Sequence, residues 1–426
     1  MPPSPRSRRP PERTAFWLVA VTLALLVSAS SAPSPVFPVY QQEWGLSATT
    51  VTVVFAVYAG TLLLALLTVG SLSDHLGRRT VVLAGLAGVL VALGGFLLAG
   101  SAGWLIAARA LQGLGTGAAI GALGAWLLDL GGSRAGLAQT LNGAAPPVGL
   151  MVGGLGAGLL VQYAPAPARL VYAVLAVALA TCAVLLLRAP ETSPRTPGAR
   201  ASLAPSVRVP AGTRPTLVAL APALTGSWAL GGLFLGLGPS VAAGVLGRTD
   251  HLVGGLVVAS LTGTGALVGV LTRHLPPRRV AVAGSAAFLV GPALLVAALQ
   301  QASTPLFFTA SVVSGVGFGA AFQGGLRAVV ATAPAAERAG VLAAVYVMCY
   351  LAFGVPSVVG GLLTPHVGLR AVAEGYAVLV VLLGAASLAL AARASRRARA
   401  LTVPSPREAA GARSSTTAGR EPITGG

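Results

Sequence analysis

Charge is what this sequence has least of. Only 9% of its 426 residues are charged, against about 25% in an ordinary soluble domain. There are 10 acids and 28 bases, and lysine is absent, so every base is an arginine. A chain that is 55% hydrophobic has more apolar surface than a soluble core of this size can hide. Composition therefore excludes a soluble globule and points to a helical protein that crosses a membrane many times. The net charge of +18 would suit nucleic acid. The arginines, however, cluster in loops and tails with no basic stripe interleaved with aromatics, so no nucleic-acid partner is expected. Cysteine is almost missing. Cys182 and Cys349 both fall in apolar runs and read as small buried hydrophobes, without disulfide or metal spacing. The histidines, His75, His251, His274 and His366, lie in loops without ligand spacing. No metal and no cofactor is expected, and no nucleophile-base pair appears within the apolar runs, so the chain reads as a non-enzyme.

What is present is a series of apolar runs of membrane-spanning length. Six precede the middle of the chain: 14–36, 49–72, 80–99, 103–128, 135–161 and 170–187. A Pro-, Ser-, Thr- and Arg-rich stretch, 188–215, reads as a linker. Six more runs follow: 216–241, 252–272, 280–299, 305–330, 340–363 and 371–392. Residues 1–13 and 393–426 read as disordered tails. Arg8, Arg9, the first run and Ser30-Ser31-Ala32 imitate a secretory signal peptide, but further spans follow at once, which argues for an uncleaved first helix. Pro33, Pro35 and Pro38 break its end, where lining a cavity would excuse the lost hydrogen bonds. The arginines fall mostly on the side that holds both tails and the linker. By the positive-inside rule that side is the cytoplasm.

The two halves repeat. Arg109-Ala-Leu-Gln112-Gly113-Leu-Gly115-Thr-Gly117 aligns with Ser311-Val-Val-Ser314-Gly315-Val-Gly317-Phe-Gly319. Gly70 to Arg79 has a worn echo in Gly269 to Arg279, and Gly136 to Asn142 aligns with Gly340 to Tyr346. Three matches in order at near-constant offset indicate a duplicated bundle.

One knot of charge interrupts the apolar pattern: Gly70-Ser-Leu-Ser-Asp74-His-Leu-Gly77-Arg78-Arg79, between the second and third runs. Asp74 and Arg78 are four residues apart, so their side chains meet at the membrane edge. The glycines permit close backbone approach. The pattern G-x-x-x-D-x-x-G-R-R in this loop resembles the signature of the major facilitator superfamily of secondary transporters. That resemblance implies an all-α integral membrane fold, with twelve transmembrane helices in two pseudo-symmetric six-helix bundles. It also implies a charge relay in which Asp129, closing the fourth helix, joins Asp74 and Arg78 and latches the outward-open state. Arg109 is the charge expected deep in a span, where it should face the bundle interior. Arg109-x-x-Gln112-Gly113-x-Gly115 resembles the fourth-helix motif often linked with proton-coupled drug exporters. The fifth helix, Pro146-Pro147 to Gly158, keeps the small residues of the exporter motif but has Gly154 where that motif has proline.

The reading that follows is a monomeric, multi-pass transporter of the inner (plasma) membrane, with cytoplasmic termini. It moves a small organic solute by alternating access, with proton-coupled efflux by an antiporter as the leading version. Uptake or facilitated diffusion of a metabolite such as a sugar or organic acid is the alternative, and a transport-dead sensor or scaffold a further one. Candidate cavity residues are the polar and aromatic side chains within spans: Tyr58, Gln112, Asn142, Trp228, Gln323, Tyr346 and Tyr350. No acid falls at mid-membrane. A proton carrier would be Glu43 or Glu374 near one face, or Asp74 and Asp129 near the other.

Overall fold

A computed structural model describes residues 10–402, and among these every regular element is helical. The first half comprises α1 (Pro10–Ser31), α2 (Phe37–Trp44), α3 (Ala48–Val69), α4 (Leu72–Leu76), α5 (Arg78–Leu97), α6 (Ala102–Asp129), α7 (Ala135–Tyr163) and α8 (Pro167–Leu186). The second comprises α9 (Arg214–Gly232), α10 (Gly238–Gly244), α11 (His251–Leu271), α12 (Pro277–Gln300), α13 (Thr304–Ala331) and α14 (Arg338–Thr402). Among the described residues, 11 stretches are long and apolar enough to cross a membrane, and the last, Ala335–Ala394, spans 60 residues. It crosses twice, because Gly368 interrupts it with φ 83°, a left-handed conformation that glycine adopts without strain. Each half thus supplies six crossings. Large apolar side chains such as Leu98, Val177 and Leu382 point outward, 76%, 68% and 62% exposed, as a lipid-facing surface requires.

The duplication read from the sequence appears in the packing. The Oγ of Ser101 accepts from the N–H of Trp104 at the start of α6, and Ser303 does the same for Leu306 at the start of α13. Gly113 of α6 lies against the backbone of α3 at Tyr58, and Gly315 of α13 lies against α11 at Leu261. Small residues let these helix backbones approach where a side chain would hold them apart.

The ends of the helices define two faces. The basic face holds the linker and most arginines, and the far face lies opposite. On the far-face side the bundles are tightly joined. Thr49 Oγ1 donates to Gly361 O at 2.8 Å, Ser240 Oγ to Gln41 Oε1 at 3.0 Å, and the His251 N–H to Gln162 Oε1 at 2.8 Å. Gly154 of α7 packs on Val258, and Gly158 on Gly255, both of α11. Toward the basic face the hydrogen bonds between bundles are longer, with Gln323 Nε2 to Gly143 O and Arg273 Nη1 to Thr140 Oγ1 each at 3.4 Å. The bundles are therefore clasped on the far side and loosely joined on the basic side.

The prolines break the end of the first span as expected: α1 stops at Ser31 and the chain resumes as α2 after a 3₁₀ turn, Ser34–Val36. Two tail boundaries are corrected. The first tail does not reach Arg13, because α1 begins at Pro10. The second tail does not begin at Arg393, because α14 continues to Thr402, and the rest of both tails lies outside the described residues.

Candidate functional site

The charged loop folds as the spacing predicts. Arg78 forms an ion pair with Asp74 and donates its Nε to Asp129 Oδ2 at 3.2 Å. Its Nη1 also donates to Ser73 Oγ at 2.7 Å. The Arg78 side chain is only 12% exposed, while Asp74 and Asp129 are 48% and 35% exposed. One arginine thus bridges the ends of α4 and α6, and the network can exceed the value of an isolated surface pair. Gly70 ends α3 beside Gly121 of α6, where an added Cβ would stand 3.9 Å from Gly70 O. The resemblance implied a latch for the outward-open state. Here the relay is fully formed while the far-face halves are clasped, and all its members belong to the first bundle. It is therefore not confined to the opposite arrangement.

A residue that the sequence reading passed over completes this face. Glu191, in the linker, accepts from the N–H of Arg78 (2.8 Å), Arg79 (3.2 Å), Thr192 (3.0 Å) and Ser193 (3.1 Å). Its carboxylate caps the N-terminus of α5, where orphan N–H groups and the helix dipole favour an anion. Gly77 has φ 105°, and a Cβ there would stand 3.0 Å from Glu191 Cδ, so both the turn and the carboxylate require glycine. Arg79 Nη1 donates to Leu187 O and Ala189 O at 3.1 and 3.3 Å, closing the end of α8. In the second half, Arg278 Nη2 reaches Ala391 O at 3.3 Å, so the echo keeps the arginine cap, while Asp129 has become Ala331. Further links bind the linker's first part to this bundle: Thr192 Oγ1 to Asp129 Oδ2 (2.8 Å), His75 Nδ1 with Thr196 O (2.8 Å) and Ser71 Oγ to Ser202 O (3.2 Å). Its last part belongs to the other bundle, since Arg208 packs on Gly340 and Thr213 Oγ1 donates to Thr332 O at 3.1 Å. The available signal was scarcity: Glu191 is the only acid in a linker rich in arginine.

Arg109 is fully buried within the first bundle, as its depth in the span required. Its Nη1 donates to Ser30 O (3.1 Å) and Gln112 Oε1 (2.8 Å), and the Tyr58 ring covers the guanidinium at 4.8 Å. Among the described residues its Nε and Nη2 have no hydrogen-bond partner, and no carboxylate pairs with it. Gln112, expected at the cavity, is 0% exposed and donates to Ala29 O at 2.8 Å. Tyr58, 7% exposed, donates to Ser30 Oγ at 2.6 Å. These residues face helix α1, inside the bundle, because a side chain pointing away from lipid has two interiors to choose from.

The remaining candidates lie between the bundles or beside that seam. Phe55 of α3 meets Phe353 of α14 at 4.7 Å between centroids, which closes the seam on its far side. Below this pair Trp228 contacts Tyr350 (4.6 Å), Phe322 (5.5 Å) and Phe353 (5.8 Å), and Tyr346 follows Tyr350 toward the basic face at 6.4 Å. All are half-buried. Gln323 reaches α7, and Asn142 lies against Gly124 of α6. Arg327 is a second cation within a span that the sequence reading missed, one turn beyond Gln323. It donates to Arg273 O (2.6 Å) and Thr272 O (3.2 Å), capping α11. The acids in the described residues sit in loops, at helix ends, or, for Glu374, beside the kink at Gly368, where Arg370 pairs with it at 3.0 Å.

Two duplicated six-helix bundles joined by a seam, with a charge relay at the ends of the first, define a polytopic membrane protein of the transporter class. The model of the Major Facilitator Superfamily matches residues 17–296 and 246–424, and the chain belongs to that family. It is a membrane transporter rather than an enzyme. Among solved structures it resembles a bacterial homolog of the human lysosomal transporter Spinster, inward-facing and unoccupied, with TM-score 0.74 and 15% identity over 90% of this chain and 98% of that one. The occupied inward-facing form gives TM-score 0.71 at 15% identity, covering 91% and 98% of the two chains. The human organic anion transporter MFSD10 (TETRAN) gives TM-score 0.64 at 20% identity, covering 89% and 100%. At these identities the likeness is one of fold. No curated protein matches the chain significantly.

Proposed function

We propose that the protein exports amphipathic, aromatic organic solutes of neutral or negative charge from the cytoplasm by alternating access. The observation that carries this reading is the wall of Trp228, Phe322, Tyr350 and Tyr346 beneath the Phe55–Phe353 closure. Aromatic faces bind flat apolar groups. Gln323 and Asn142 supply polar contacts and Arg327 a positive charge, while among the described residues no carboxylate lies beside this wall at mid-span to hold a cation. In this reading the basic face, both termini and the linker are cytoplasmic, and the membrane is the plasma membrane. The clasp on the far face then leaves the seam to load from the cytoplasm, the order an exporter needs. The protein acts as a monomer. With proton exchange as the driving force, the acids available are Asp74 and Asp129 on one face and Glu43 and Glu374 on the other.

A second reading, facilitated diffusion or uptake of a metabolite such as an organic acid, is favoured by one observation. Among the described residues Arg109 has no carboxylate beside it, so the buried arginine of the first bundle has no acid with which to divide a proton. Purified protein in liposomes, given aryl carboxylates, neutral aromatics and aromatic ammonium ions with and without a pH gradient, separates these. Gradient-dependent flux of the first two classes is the expected result. Flux indifferent to the gradient selects the second reading. Flux of ammonium ions alone defeats the proposed substrate class, and no flux of any probe would indicate a sensor or scaffold.

A further inference from the structure

Helix α1 ends inside the membrane-crossing region, and its end exposes backbone groups that must be satisfied there. Pro33 has no N–H, so the carbonyl of Ala29, four residues earlier, has lost its helical partner. The chain then tightens into the 3₁₀ turn, with the N–H groups of Val36 and Phe37 both directed to Pro33 O at 3.0 Å. The Ser30 carbonyl lies in the same last turn, and the residue that would donate to it in a continuous helix, Ser34, opens the 3₁₀ turn instead. Two side chains from another helix meet these carbonyls. Gln112 Nε2 donates to Ala29 O at 2.8 Å and Arg109 Nη1 to Ser30 O at 3.1 Å. They stand three residues apart on α6, hence on one face, and a hydrogen bond of 2.8 Å between them fixes both rotamers. Both are fully buried, so neither meets a solute in this arrangement.

The second half supplies an internal comparison. There α9 is interrupted at the matching position by a π turn, Leu233–Leu237, before α10 begins. A π turn absorbs the irregularity within the helix's own hydrogen bonds. The counterparts of Arg109 and Gln112 are Ser311 and Ser314. Ser311 Oγ donates to its own helix at Phe307 O (2.8 Å), and Ser314 Oγ has no hydrogen-bond partner. Among the described residues, side-chain donors of α6 cross to the break in α1, whereas the matching α13 serines do not cross to the π-turn break, even though Pro239 follows it.

We propose that Gln112 and Arg109 are positioning residues that replace the backbone donors lost at the break in helix one, and that they thereby hold α2 where it closes the far-face gate. The link to the gate is direct. Segment α2 begins at Phe37, whose ring lies 5.8 Å from the Arg109 guanidinium, and carries Gln41, which accepts from Ser240 of the other bundle.

The test is a suppression experiment. Ala243 lines the far-face crevice beside Pro35 and Pro38. A cysteine there, in a Cys182→Ser, Cys349→Ser background, is labelled with a membrane-impermeant maleimide as a measure of gate opening. Gln112→Leu is expected to raise labelling and remove most transport. Pro33→Ala restores an N–H that can reach Ala29 O. In the Gln112→Leu background it should return both labelling and transport toward the parent. If Gln112→Leu alone is not recovered from the membrane, the same rescue is read as recovered protein. A double variant no better than Gln112→Leu overturns the proposal, because a direct role of Gln112 with solute or proton gains nothing from a new backbone donor.

Discussion

Gly158 and Gly255 stand so close across the seam that a Cβ on Gly158 would lie 2.9 Å from the Gly255 Cα. The contact exists only while the far-face halves are clasped. Overpacking a fitted interface typically costs about 1–3 kcal/mol. Gly158→Val should therefore shift the balance between the two arrangements about tenfold toward the far-face-open one. Spin-label distances between α7 and α11, measured near the far face, should lengthen. Unchanged distances with full transport would show that the glycines only fill space.

Glu191 is expected to act on stability first. Its carboxylate accepts from four backbone N–H groups, and charge-assisted hydrogen bonds contribute about 1.5–3 kcal/mol each when a partner is left unsatisfied by their loss. Glu191→Ala should lower the melting temperature of the purified protein clearly. Glu191→Gln, which keeps one acceptor oxygen, should fall between it and the parent. Equal melting curves for all three proteins would mean that water replaces the cap without penalty.

Asp74 and Asp129 are the half-exposed partners of a mostly buried arginine. Removing either leaves Arg78 one acid, so Asp74→Asn and Asp129→Asn should each lower turnover about fivefold, about 1 kcal/mol, the upper value for exposed pairs. Since all three residues lie in one bundle, the effect should appear as a looser α4–α6 contact by hydrogen exchange, in both arrangements of the halves. An effect confined to one arrangement would return the relay to the role of a latch.

Trp228 joins Tyr350, Phe322 and Phe353 into one wall. Aromatic contacts contribute about 0.5–1.5 kcal/mol each beyond burial. Trp228→Ala should raise the KM for an aromatic solute about tenfold, with a smaller change in the maximal rate. A KM that does not move would place the solute elsewhere.

Much of this was legible in the sequence. Apolar runs of fixed length give spans, and the Gly113 and Gly315 motifs gave the duplication, because backbone contact tolerates only glycine. Asp74 and Arg78 were legible from a four-residue spacing on a helix end. What a linear pattern does not carry is the choice between two interiors. Gln112 and Gln323 both point away from lipid, yet one faces helix one and the other the seam. Glu191 was invisible for a related reason, since apart from a loose ion pair with Arg195 at 3.9 Å its partners are backbone N–H groups, which every sequence possesses. Arg327 fell inside the run 305–330 and carried no motif to single it out, although it caps the neighbouring helix.

The divided linker has a mechanical consequence. Ser202 is fastened to the first bundle and Arg208 to the second. Between them run only the residues from Leu203 to Val207. At the full reach of an extended chain these six steps cover about 20 Å. That length is a leash on the mouth for as long as the Ser71 hydrogen bond and the Gly340 contact hold: the basic-face ends of the halves part beyond it at this corner only by first releasing one of those two anchors.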